Sequence, residues 1–306
     1  MLAIVKTYHY LKNRLLCLLM VLCCYNSKAQ IDSLNKMQDL LQNKKYEQAV
    51  ILGDKIILHP DTKNEPASWS LRAVAYNNFY KQLSLLGEFN IDLVDSCLKY
   101  AMTSINLDAN HEYEKDNRNL IENCAIKYNK FSRILLNDTL NTQNYPKGET
   151  IYNKYKKTTL ILNPNFDFKD QDFEIYNVIG GRYLQLYYTA NYDPKYEELA
   201  KTYLFKAHDI DPNNADNNMK IGTLFYNRGV ALINNSDYVD LTQVDVLQEN
   251  AKKLFKQSYN FINKVYELNP RDIKALDGLE GIYHALLDKE KETEFRLKKE
   301  ALNKNK

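Results

Sequence analysis

Apolar positions along most of the chain recur at three- and four-residue intervals, in runs separated by short polar turns. That spacing predicts amphipathic helices rather than strands. The runs close in a recurring way: "IILHPDT", "INLDAN", "LILNPN", "AHDIDPNN" and "YELNPRD" each pass from aliphatic residues to Asp, Asn or His, then to Pro (Ala once), then to a polar turn. The marks stand at Pro60, Ala109, Pro164, Pro212 and Pro270, spaced 49, 55, 48 and 58 residues apart. Proline lacks the N–H a helix needs and pushes its predecessor out of the α region, so it ends a helix. Pro66, Pro146 and Pro194 instead precede apolar runs, where proline suits a first helical turn. All seven prolines therefore punctuate helices, and none interrupts one.

Between the marks each unit holds two helices. The first repeats a small residue followed three positions later by an aromatic one: Ala73/Tyr76, Ala125/Tyr128, Gly180/Tyr183 and Gly222/Phe225. In three units a large apolar residue, Trp69, Ile121 or Tyr176, precedes the small one by four. The second helix places a small residue twelve before the Pro position, at Cys97, Ala200 and Ser258, with larger inward residues such as Leu204 and Ile262 following. A missing side chain lets a partner helix approach, and the aromatic residue one turn on fills the adjacent hole. Glu280 and Tyr152 occupy positions where this phase expects a small residue.

The arrangement in "WSLRAVAY", "YNVIGGRY" and "KIGTLF", closed by "AHDIDPNN", resembles the tetratricopeptide repeat. The resemblance runs from about Ile31 to Leu302. It implies an all-α solenoid of stacked antiparallel helix pairs, about five to six units at roughly 31–61, 66–110, 114–165, 172–213, 215–271 and 272–304. The units are longer than the usual ~34 residues, with extra helical turns and long loops such as "NNSDYVDLTQVD" at 234–245. With its Asn/Lys/Tyr-rich composition and its closing "ALDGLEGIYHALLDKEKE", the chain looks like exported repeat proteins of Bacteroidetes-type bacteria.

The N-terminus changes the bulk picture. Lys6, Lys12 and Arg14 precede the apolar run Leu15–Tyr25, which is short for a membrane span, and "NSKAQ" follows. Ser27 and Ala29 at the −3 and −1 places make residues 1–29 an export signal with Gln30 as the new N-terminus. An uncleaved anchor and acylation at Cys23 or Cys24 stay open as alternatives. Without residues 1–29 the chain carries 37 basic and 39 acidic residues, so the formal net charge moves from +2 to −2. That removes a global electrostatic case for nucleic acid. Two cysteines remain, Cys97 and Cys124, both at helix core positions; buried thiols are expected, and a single disulfide between them stays open as the alternative.

Chemistry-bearing patterns are sparse. The histidines form no pair at metal-ligand spacing, and no phosphate loop, dinucleotide fingerprint or nucleophile elbow is present. Neither a catalytic residue nor a cofactor or metal is expected. Most of the 24 tyrosines, including Tyr76, Tyr128, Tyr183 and Tyr283, fall at packing positions. "NKYKK" at 153–157 reads as a solvated helix face. The resemblance implies a concave surface lined by first helices, one and two residues beyond each aromatic: Asn77, Asn78, Asn129, Lys130, Leu184, Gln185, Tyr226, Asn227 and His284. Such a face suits a protein or peptide, so the expected role is a non-enzymatic periplasmic scaffold. A subunit or lipoprotein of an outer-membrane assembly, secretion or uptake machine is a variant of it. An envelope hydrolase with acids in the groove is the reading from another class. Export predicts that mass spectrometry of chain recovered from bacterial envelopes finds Gln30 at the N-terminus, and a diacylated cysteine there would refute cleavage after Ala29.

Overall fold

The computed structural model describes residues 32–60, 62–139, 141–234 and 241–304; the expected signal at 1–29, with Cys23, Cys24, Ser27, Ala29 and Gln30, lies outside them. The described residues are helical, with turns between. Twelve helices follow in order: α1 (32–42), α2 (Tyr46–Ile56), α3 (Pro66–Leu85), α4 (Ile91–Leu107), α5 (Glu114–Asn137), α6 (Asn144–Leu162), α7 (Lys169–Thr189), α8 (Pro194–Ile210), α9 (Ala215–Asn234), α10 (Leu241–Leu268), α11 (Ile273–Ala285) and α12 (Lys289–Lys304). The all-α, helix-pair expectation is met. One boundary is corrected: residues 241–245, read above as loop, begin α10.

The chain divides into two compact units, one built from the described residues up to Asp138 with Pro146–Phe166, the other from Thr139–Tyr145 with the residues from Asp167 onward. In the first, α2 packs on α3, α3 on α4, α4 on α5, and α3 also touches α5. In the second, α7/α8, α9/α10 and α11/α12 pair closely, α8 meets α9 and α10 meets α11. The first helices α7, α9 and α11 also touch in series, which sets them side by side in one layer.

Helix ends follow the chain's punctuation. Leu162, Ile210 and Leu268 are each the last helical residue two before a proline. Leu107 ends α4 at the same offset from Ala109, without proline's help. There Asp108, buried in the turn, accepts from the Glu112 N–H at 3.1 Å and the Tyr113 N–H at 2.6 Å. A carboxylate taking two backbone N–H groups holds the turn that proline imposes elsewhere. Pro66 and Pro194 open α3 and α8, and Asn90, Asp193 and Asp272 cap α4, α8 and α11 through their side-chain oxygens.

Inside each pair the small positions face a large residue of the partner helix. A Cβ on Gly180 would lie 2.7 Å from Leu204 Cγ and 2.9 Å from the Leu204 backbone nitrogen. A Cβ on Gly222 would lie 2.5 Å from Ile262 Cδ1. Ala73, Ala125, Ala200, Leu204 and Ile262 are all buried with their aromatic neighbours. Hydroxyls stitch the same contacts: Ser258 donates to the Gly222 carbonyl at 2.8 Å, Ser132 to Gly148 at 2.7 Å and Ser104 to Pro66 at 2.8 Å. The two exceptions to the small-residue phase have local reasons. Glu280 faces Lys299 of α12 at 2.5 Å, and Tyr152 is buried with its ring 5.8 Å from that of Tyr155. Gly222→Leu should cost roughly 2–4 kcal/mol, because Ile262 cannot retreat without moving α10; an unchanged denaturant midpoint would refute that packing.

Candidate binding cavity

The α9–α12 region of the second unit forms a solvent-open cavity of about 700 Å³. Its α9 wall carries Met219, Thr223 and Tyr226, and Ile262 reaches it from α10. On α11, Lys274, Asp277, Gly278 and Gly281 line it, followed by His284, with Glu292 and Lys299 from α12. The turn of α11 from Gly278 to Gly281 presents backbone rather than side chain. A Cβ on Gly281 would come within 2.9 Å of the Tyr226 hydroxyl, and one on Gly278 within 3.1 Å of Ile262 Cγ2. The two helical glycines, three residues apart, thus let Tyr226 and Ile262 approach α11 closely.

Each acid at the cavity is paired with a cation. Lys299 Nζ lies 2.7 Å from Asp277 and 2.5 Å from Glu280, and hydrogen bonds to both carboxylates push its pKa up. Glu292 pairs with Lys289 at 2.9 Å and with His284 Nδ1 at 3.2 Å, and these bonds, Lys289 first, hold its carboxyl below the usual range. Burial, and then the charge of Asp277, pushes the Tyr226 hydroxyl up. Its ring packs on Phe255 at 5.5 Å, and among the described residues nothing hydrogen-bonds its hydroxyl. The cavity therefore offers an apolar floor, one free hydroxyl, and a rim of ion pairs with the Lys274 ammonium among them.

Of the nine positions expected to face a groove, Tyr226 and His284 meet in this cavity. Asn227 lies beside the Tyr188 hydroxyl, which is buried and closes no hydrogen bond. Gln185 and Lys130 are exposed, and Asn129 accepts from Arg133 Nε at 3.1 Å. Two placements are corrected. Asn77 is buried because Lys127 of α5 donates to its side-chain oxygen, while its amide reaches Asn78 at 3.3 Å. Leu184 is buried as well, its aliphatic side chain held in the packed interior. Sequence reading passed over Met219, Lys274, Glu292, Lys299 and the glycines of α11; the G-x-x-G spacing in "LDGLEGIYH" was the available signal.

The basic stretch at 153–157 is solvated in part, with Lys154 held by Asp95 at 2.6 Å. Among the described residues no group of three or more His, Cys, Asp or Glu is placed to hold a metal, and no helix is long and apolar enough to cross a membrane.

No protein-family model matches the chain, and no curated protein sequence matches it. Among solved structures, one titled as showing that Nro1, a hypoxic regulator of sterol synthesis, is a nuclear import adaptor aligns at TM-score 0.34 and 15% identity, over 92% of this chain and 88% of that one. A second structure of Nro1, from S. pombe, aligns at TM-score 0.32 and 12% identity, over 90% and 93%. Similarity at that level carries no argument about role.

The two kinds of tyrosine hydroxyl should separate in stability measurements. Tyr128, buried, donates to Asp95 at 2.6 Å, so Tyr128→Phe should cost about 1–3 kcal/mol. Tyr226→Phe loses no bond and should stay within about 0.5 kcal/mol of the parent in chemical denaturation.

Proposed function

We propose that this chain is a non-enzymatic scaffold of the tetratricopeptide-repeat kind that binds a protein or peptide segment along its first helices, and that it works in the bacterial cell envelope after export. The observation that carries the reading is the cavity between α9 and α11. Met219 and Ile262 supply an apolar seat, the glycines of α11 let Ile262 and Tyr226 stand close against that helix, and the Tyr226 hydroxyl is free to meet a peptide carbonyl or N–H. Extended peptides are recognised by such a division, with backbone groups meeting polar atoms and a side chain filling a pocket. The acids at the same place speak against the hydrolase alternative. Asp277 and Glu280 share Lys299, and Glu292 is held by Lys289 and His284, so each carboxylate already has a cation. General acid–base work needs one carboxyl kept protonated by its surroundings.

The test is site-specific photo-crosslinking in an envelope extract, with benzoylphenylalanine at Thr223 in the cavity and at Glu249 on the exposed face of α10 as control. A discrete adduct at position 223, absent at 249 and lost when Gly281→Phe fills the cavity, is the expected result. Equal labelling at both positions, or an adduct indifferent to Gly281→Phe, would sink the assignment of this cavity. A partner recovered only from cytosolic extract would sink the envelope location.

A further inference from the structure

The interior of the first unit holds a group of side chains that neither the helix packing nor the cavity accounts for. Cys97 on α4 and Cys124 on α5 are free thiols with no exposed surface, in one packed cluster. The Cys124 thiol donates to the carbonyl oxygen of Val94 at 3.7 Å, one turn ahead of Cys97 on the facing helix, which sets it beside the Cys97 turn of α4. Lys127 follows Cys124 by one turn on the same face of α5. Its ammonium points inward, donates to Asn77 Oδ1 and sits 4.9 Å from the centre of the Tyr80 ring. A buried cation ordinarily sits against a carboxylate; this one sits against an amide and an aromatic face.

The surroundings make the two sulfurs unequal. The neighbouring Cys124 thiol, and then the charges of Lys127 and Lys81, draw the Cys97 thiol below its usual range. The neighbouring Cys97 thiol, with burial, pushes Cys124 up, and Asp95 adds to that. Burial also draws the Lys127 ammonium down. Such inequality suits a nucleophilic thiol and a resolving one.

We infer that Cys97 and Cys124 are an oxidisable dithiol that closes a disulfide between α4 and α5 by exchange with a disulfide-bearing oxidant. The Cys97 thiolate attacks one sulfur of the oxidant, forming a mixed disulfide and expelling the other sulfur as a thiolate that takes up a proton. Cys124 then loses its proton, attacks the Cys97 sulfur and expels the second half of the oxidant. Two protein thiols are oxidised by two electrons and one oxidant disulfide becomes two thiols. Both sulfurs are shut from solvent, so the first step proceeds from a transiently opened form of the α4–α5 layer. The cross-link then holds that layer together.

Reduced full-length chain is incubated with glutathione disulfide, then denatured, alkylated and mapped by mass spectrometry, which keeps Cys17, Cys23 and Cys24 apart from the pair. The expected product joins the Cys97 and Cys124 peptides and raises the melting midpoint by roughly 5 °C. Cys124→Ala should trap glutathione on Cys97, whereas Cys97→Ala should leave Cys124 roughly tenfold less modified. Lys127→Met should move the rate–pH midpoint of closure upward, and Lys127→Arg should restore it. Full alkylation of both cysteines after incubation would overturn the proposal, as would mixed adducts that persist in the unaltered chain or a preference for Cys124.

Discussion

Where α7 meets α8 and α9 meets α10, a glycine on one helix receives the branched side chain of the other. Leu204 fills the place of a side chain on Gly180, and Ile262 does so on Gly222. Neither contact survives an added methyl at ordinary van der Waals distance, since 2.5–2.7 Å is far inside it. The rest of the second unit depends on this approach. It brings Ser258 close enough to donate to the Gly222 carbonyl, and it seats Phe225 beside Phe205 and Phe261 at 6.4 and 6.0 Å.

Ile262 also connects packing to the cavity. One branch of its side chain presses on Gly222, while its Cγ2 stands toward Gly278 on α11. The same residue type thus serves two contacts: at Gly222 the space is filled by Ile262 of α10, and on α11 Gly278 and Gly281 let Ile262 and Tyr226 approach closely. In the first unit the corresponding contacts use Ala73, Ala125 and the cysteines, and polar groups enter the interior there. Asn117 donates to Ser104 at 2.9 Å, which itself donates to Pro66, and Lys127 is held by Asn77. These bonds tie the register of α3, α4 and α5 to specific partners, although the Asn117 Oδ1 beside them has none.

Much of this was readable from local spacing. The small-then-aromatic rhythm and the helix stops reflect contacts that repeat at fixed offsets along the chain, so Gly180, Gly222, Leu204 and Ile262 were identifiable as packing residues. The turn at Ala109 was readable as a stop, although its cause, the two backbone bonds to Asp108, was not. The groove rule succeeded less well. It placed Asn77 and Leu184 on an open face, where Asn77 is covered by a lysine fifty positions away and Leu184 lies in the interior.

By itself, the sequence determined the helices, their ends, their pairing and the residues that let pairs close, because all of these rest on periodicity and backbone chemistry within a few turns. Only the tertiary structure decided which side chain fills the place beside each small residue, that three cavity acids already hold their cations, and that Lys127 turns inward to meet Asn77. Those outcomes depend on side chains brought together from different helices, and no spacing along one helix encodes what its neighbour presents.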